Sequence, residues 1–198
     1  MTTLDDLRSA LAHDGWLADA QRRVAADSGA IARLFPRAAR ACGRSPLPGA
    51  TGWTADEAAR TLLLAALPPA AVAEQVRVLY RFGDANEKRA VLKALPFLPV
   101  GDAGVPLLQD AIRTNDTRLV SAALGPYAVH LDQPAWRQAV LKCVFMGIPL
   151  STVDRLDDRA DGELRVMLAG LAAERAAAGR DLAADATALL NRLAAKEA

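Results

Sequence analysis

Apolar residues recur three and four positions apart along almost the whole chain, and this spacing limits the fold more than any other feature. Val105, Leu108 and Ile112 share one helical face in this way. Leu164 and Leu168 belong to a second such face. No segment keeps a period of two, and β-branched residues are sparse. The pattern therefore predicts an all-α protein.

Composition supports helices and excludes some functions. Apolar residues make up 52% of the 198, alanine dominates them, and aromatic residues are only 5%, which is typical of closely packed helices. The 24 basic and 23 acidic side chains leave no basic surplus for nucleic acid or an anionic membrane.

We expect Cys42 and Cys143 to be buried free thiols. The N-terminus has no signal-peptide pattern, and Pro68-Pro69 interrupts the most apolar run, so we expect a cytoplasmic protein without membrane insertion.

Turn-forming residues divide the chain into short helices. The clearest loop is "GRSPLPGATGW" at residues 43–53, rich in glycine and proline. It predicts an N-terminal helical cap over 1–42, a linker over 43–53 and a main helical domain over 54–198, together one structural unit. Short links favour antiparallel neighbours, so nine to eleven helices are expected as an irregular HEAT-like stack of hairpins. A compact multi-helix bundle is the alternative.

Common signatures of catalytic chemistry are missing. The sequence has no glycine-rich phosphate loop and no dinucleotide fingerprint. His13 and His130 share no metal-ligand spacing with each other or with a cysteine. We therefore predict a protein that needs neither a metal nor a cofactor.

The segment "IRTND" at 112–116 separates two apolar helical patterns and has two interpretations. In the first, it is a helix end: Arg113 complements the helix dipole, Asn115 adopts a left-handed conformation, and Asp116 or Thr117 caps the next helix. In the second, Arg113 and Asn115 face a ligand.

Other polar residues leave similar alternatives open. Asn86 and Glu87 fit a first helical turn or a carboxylate aimed into a concave face. Trp136 is more often a core residue than a ligand platform. Lys142 is an exposed flank or lies along a pocket wall. Arg159 precedes a helix N-terminus, where a positive charge is unfavourable, so it needs a partner.

Five blocks containing these residues carry a family resemblance. The blocks are "DANEKRAVLKALPFLP", "AIRTND", "GPYAVHLDQPAWRQAVLKCVFMG", "LDDRADGELRVML" and "ERAAAGRDL". In this order, over roughly residues 53–182, they resemble the EboA family. Three positions depart from its pattern: Arg137 and Asp161 stand where members commonly have Asn, and Ala176 stands where many have Trp.

The resemblance implies metabolite traffic or secondary metabolism, without a defined reaction. It also implies one shared polar site at successive helix ends. Its ligand-binding residues would be Asn86, Glu87, Arg113, Asn115, Trp136, Lys142 and Arg159.

Three functions are compatible with such a site. The first is a carrier for a small, largely apolar metabolite with an anionic or carbonyl group. Arg113 and Lys142 would hold that group, and Glu87 would balance their charge. Asn115 and Trp136 would orient the ligand. The second is a cofactor-free isomerase, cyclase or condensing enzyme. There Glu87 would be the acid or base, and Arg113 and Asn115 would stabilise an oxyanion. The third is a helical scaffold that binds other pathway enzymes.

Overall fold

The computed structural model describes residues 2–11 and 15–196, so His13 lies outside the described residues. Within them the chain forms helices, turns and loops, with one isolated bridge between Pro46 and Thr54, which confirms the all-α prediction. The thirteen α-helices of the described residues are α1 (Leu4–Ala10), α2 (Gly15–Ala26), α3 (Ile31–Leu34), α4 (Ala38–Cys42), α5 (Ala55–Ala65), α6 (Pro69–Phe82), α7 (Ala85–Ala94), α8 (Val105–Arg113), α9 (Thr117–Ala123), α10 (Gln133–Met146), α11 (Leu156–Arg159), α12 (Gly162–Ala177) and α13 (Ala184–Lys196). Short 3-10 turns lie at Ser28–Ala30, Leu95–Phe97, Gly101–Gly104, Pro126–His130 and Leu150–Thr152.

The expected number of nine to eleven helices is too low. Helices α3, α4 and α11 are four or five residues long. A helix of that length contains little more than one turn, so it cannot show the repeated spacing from which the helices were predicted.

Local side-chain chemistry fixes most helix ends. Thr54 and Glu57 form a reciprocal capping box at the start of α5, and Asp84 and Glu87 form another at the start of α7. At the other end of a helix, Gly147 follows α10 with φ 70°, in the left-handed region that glycine adopts without strain. Each of these caps satisfies backbone groups that a helix end leaves unpaired.

The first compact unit, Met1–Leu107, is built around α5. Helices α1, α2, α4, α6 and α7 all pack against α5. Surrounded in this way, α5 buries charged as well as apolar side chains, namely Asp56, Glu57 and Arg60. Such groups are retained inside a protein only when they are paired.

The second compact unit, Leu108–Ala198, has α10 at its centre. Helix α10 packs against α9, α12 and the Leu150–Thr152 turn, and α12 packs against α13. Cys143 on α10 is a buried free thiol whose pKa burial raises to about 12, whereas Cys42 is only half-buried. The HEAT-like stack and the division at 43–53 stay predictions.

Among the described residues, no helix combines the length and the apolar composition that a bilayer span requires.

Candidate functional site

The predicted site residues of the first unit serve the start of α7. The Glu87 carboxylate accepts the backbone N–H of Asp84 at 3.0 Å, and the Asp84 carboxylate accepts the N–H groups of Asn86 and Glu87, each at 2.8 Å. Glu87 is thus engaged by its own helix, as expected for the helical-turn interpretation.

The "IRTND" segment ends one helix and starts the next. The Lys142 ammonium donates to the carbonyls of Ile112 at 2.6 Å and Thr114 at 2.7 Å, the two carbonyls that flank Arg113. The Asp116 side chain caps α9 by accepting the N–H of Arg118. Both contacts satisfy backbone groups that helix ends leave unpaired.

Within that segment, Arg113 and Asn115 point outward. The Arg113 side chain is 74% exposed and lies 3.9 Å from Asp110, and Asn115 is exposed. The predicted left-handed conformation of Asn115 is wrong, since Arg155 is the one non-glycine residue with positive φ among the described residues. A ligand role for Arg113 and Asn115 stays a prediction.

Arg159 and Trp136 lie together in the second unit. The Arg159 guanidinium donates to the carbonyls of Ala128 at 2.7 Å and Leu131 at 2.9 Å, and to the Gln133 side chain at 3.1 Å. It also lies 4.7 Å from the centre of the buried Trp136 ring. Burial lowers the pKa of Arg159. The partner that the sequence led us to expect for Arg159 is therefore a set of groups, consisting of backbone carbonyls, the Gln133 side chain and an aromatic ring.

Two departures from the family pattern contact each other. Arg137 on α10 donates to Asp161 through Nη2 at 2.6 Å and Nε at 2.9 Å. Asp161 also caps α12 through the N–H of Leu164 and accepts the amide of Gln133 at 3.0 Å. The ion pair joins two positions at which the sequence departs from the resemblance to the EboA family.

The Arg137–Asp161 pair makes the free energy of unfolding depend on pH. The Arg137 hydrogen bond lowers the pKa of Asp161 from 3.8 to about 2. A carboxyl whose pKa is depressed by folding adds stability above its unfolded pKa, and that stability is lost as pH falls through the folded value. We expect Asp161→Asn to lower the free energy of unfolding by about 1 kcal/mol at pH 7, a value reduced because solvent screens the pair.

Urea unfolding at pH 7, 4, 3 and 2 measures this effect. The gap between wild type and Asp161→Asn should close between pH 4 and 2. The double variant Arg137→Asn/Asp161→Asn, which removes both charges, should recover part of the loss, because no arginine is then left without its counter-charge. A gap that stays constant down to pH 2 would contradict the assignment.

A cleft in the second unit was not predicted. It lies between residues 150–158 and α13 and has a volume of about 540 Å³. Its apolar lining comes from Leu150, Val153, Leu156 and Ala188. A cleft of this volume is within the range of small-molecule sites.

Paired charges line the same cleft. Arg155 donates to Asp158 at 3.1 Å, and Arg192 on α13 donates to Asp157 at 2.9 Å. Asp185 accepts the backbone N–H of Leu150 at 2.8 Å, which ties α13 to the 3-10 turn before α11. In the sequence, the arginines interleaved with aspartates at 154–159 are the available signal, but nothing local indicates that α13 faces them.

Together these features define an all-helical protein whose predicted site residues serve largely as helix caps and core contacts, and which has a separate cleft. The family comparison agrees with that class: the profile of "Metabolite traffic protein EboA" matches residues 36–191. The chain therefore belongs to the EboA family, which supports a metabolite-related accessory role. Neither a search of the curated proteins nor one of the solved structures finds a significant match.

Proposed function

We propose that this chain binds a small, largely apolar metabolite in the cleft between residues 150–158 and α13, as a binding or carrier protein of metabolite traffic. The observation that carries the proposal is the cleft itself, with about 540 Å³ of space over Leu150, Val153 and Leu156. Four of its ten lining residues are apolar and six are polar or charged, so the cleft offers a ligand both apolar contact and hydrogen-bonding groups. The family description supports the same role.

The position of the charged groups fits reversible binding. Arg155, Asp157, Asp158 and Arg192 are all exposed to solvent, so a ligand can enter without opening the core. Leu150 and Val153 are buried beneath them, and half-buried Leu156 and exposed Ala188 add apolar surface that is open to a ligand. The predicted polar head of the ligand, anionic or carbonyl, would meet the arginines, and its apolar part would cover the leucine, valine and alanine side chains.

Native mass spectrometry of protein purified from its own organism tests this function. Wild type should carry a small-molecule adduct, and Ala188→Trp, which places an indole in the cleft, should lose it. Ala194→Trp is the matched control, because Ala194 is an exposed alanine of the same helix outside the cleft lining and should keep the adduct.

Two further samples complete the experiment. Recombinant protein equilibrated with a small-molecule extract of the organism detects a ligand that would dissociate during purification. Arg113→Ala tests the alternative location at "IRTND", with Arg77→Ala as its control, since both arginines are exposed and lie three residues after an acidic partner. The proposal is wrong if no preparation carries an adduct or if Ala188→Trp keeps it.

A further inference from the structure

The two arginines of the cleft have hydrogen-bond donors left over. Arg155 contacts Asp158 through Nε, and Arg192 contacts Asp157 through one Nη2 hydrogen. A guanidinium has five N–H donors, so most donors of each side chain are available to a ligand. The cleft can therefore receive a group that accepts hydrogen bonds.

The charges around these donors do not favour an anion. Each arginine already has an aspartate partner, and Asp185 adds a further carboxylate to the lining. Two arginines thus face three aspartates, and the cleft has no net positive charge. An anionic head would gain hydrogen bonds but would meet the carboxylates, whereas an uncharged acceptor gains the same bonds without repulsion.

Backbone conformation indicates that Arg155 is held in place at some cost. Arg155 adopts φ 52° and ψ 34°, in the left-handed region that disfavours residues with a Cβ. Glycine would adopt this conformation without strain. An arginine at this position keeps a guanidinium at the cleft, consistent with strain retained at a functional site.

We propose that the ligand of this cleft presents an uncharged carbonyl, as in an amide, ester or ketone, to Arg155 and Arg192. Its apolar part packs against Leu150, Val153 and Leu156. The inference rests on the proposed function, and it narrows the ligand from "anionic or carbonyl" to carbonyl.

Three probes with one tail and different heads test the inference: octanamide, octanoate and octylamine at pH 7, titrated into the full chain and followed by NMR. We expect octanamide to bind at least about fivefold more tightly than either charged probe. Loss of a hydrogen bond to a charged donor should lower octanamide affinity about tenfold in Arg155→Met and in Arg192→Met.

Control variants separate the possible failures. Arg180→Met, at an exposed arginine outside the lining, should leave affinity unchanged, and Arg192→Met/Asp157→Asn removes the pair without changing net charge. The inference is overturned if octanoate or octylamine binds as tightly as octanamide, or if the arginine variants have no effect. In that case the proposed function still stands, provided that Ala188→Trp abolishes binding of all three. If Ala188→Trp changes the affinity of none of the three probes, the cleft is not the binding site and both proposals fail.

Discussion

Replacing Glu57 by glutamine will lower the free energy of unfolding by about 3–5 kcal/mol, the usual effect of removing one partner of a buried ion pair. Glu57 is 3% exposed. Its carboxylate accepts a hydrogen bond from the Lys93 ammonium at 2.5 Å and another from the backbone N–H of Thr54 at 3.0 Å. It also lies 2.9 Å from the Arg89 guanidinium. Glutamine keeps the shape of the side chain but removes the charge that faces two cations.

Lys93 is the reason for the large effect. Its ammonium also donates to the Gly52 carbonyl at 2.7 Å and lies 4.1 Å from the Trp53 ring centre, so it cannot move into solvent without breaking these contacts. Burial lowers the pKa of Lys93 even though the Glu57 carboxylate opposes this change. Without the carboxylate, the buried cation would have only uncharged partners, among them the Gly52 carbonyl and the Trp53 ring.

A double-mutant cycle in urea separates charge from packing. Lys93→Met should cost less than Glu57→Gln, and Glu57→Gln/Lys93→Met should be more stable than Glu57→Gln, because Arg89 is partly exposed and can remain solvated. Glu74→Gln, in an exposed pair with Arg77, is the matched control and should leave the midpoint unchanged. If Glu57→Gln behaves like Glu74→Gln, then Glu57 does not stabilise the first unit as an ion-pair partner.

The Thr54–Glu57 capping box was predictable because it is local. A serine, threonine or aspartate followed three residues later by glutamate marks a helix start whatever surrounds it, and Asp84 with Glu87 was recognisable for the same reason. The burial of Glu57 was not predictable, since it depends on several helices packing around α5. Its partner Lys93 is 36 residues away in sequence.

The candidate site was harder to predict for the same physical reason. Lys142 was interpreted as an exposed flank or as part of a pocket wall, but its ammonium reaches carbonyls 28 and 30 residues earlier in the chain. The contact of Arg192 with Asp157 spans 35 residues. Periodicity shows which face of a helix is apolar, but it does not show which helix faces which. The cleft could therefore be found only in the folded chain.

Trp136→Ala is expected to cost about 3–5 kcal/mol of unfolding free energy, because it removes the largest fully buried side chain of the described residues. The indole is 0% exposed, packs beneath Arg159, and has no hydrogen-bond partner for Nε1 among the described residues. A buried N–H without an acceptor is itself destabilising. Trp136→Phe keeps an aromatic face for Arg159 and removes that N–H, so it should cost only about 1 kcal/mol.

Urea unfolding of both variants, combined with native mass spectrometry, decides between the two interpretations of Trp136. As a core residue, Trp136 should tolerate phenylalanine with little loss of stability and full retention of the adduct. As a ligand platform, it should lose the adduct in Trp136→Phe while stability stays near that of wild type. Phe145→Ala is the control on the same helix: Phe145 is 71% exposed, so its truncation should change stability by less than about 0.5 kcal/mol. A cost of Trp136→Phe equal to that of Trp136→Ala would contradict the prediction and would mean that the Nε1–H group has an acceptor in the folded protein.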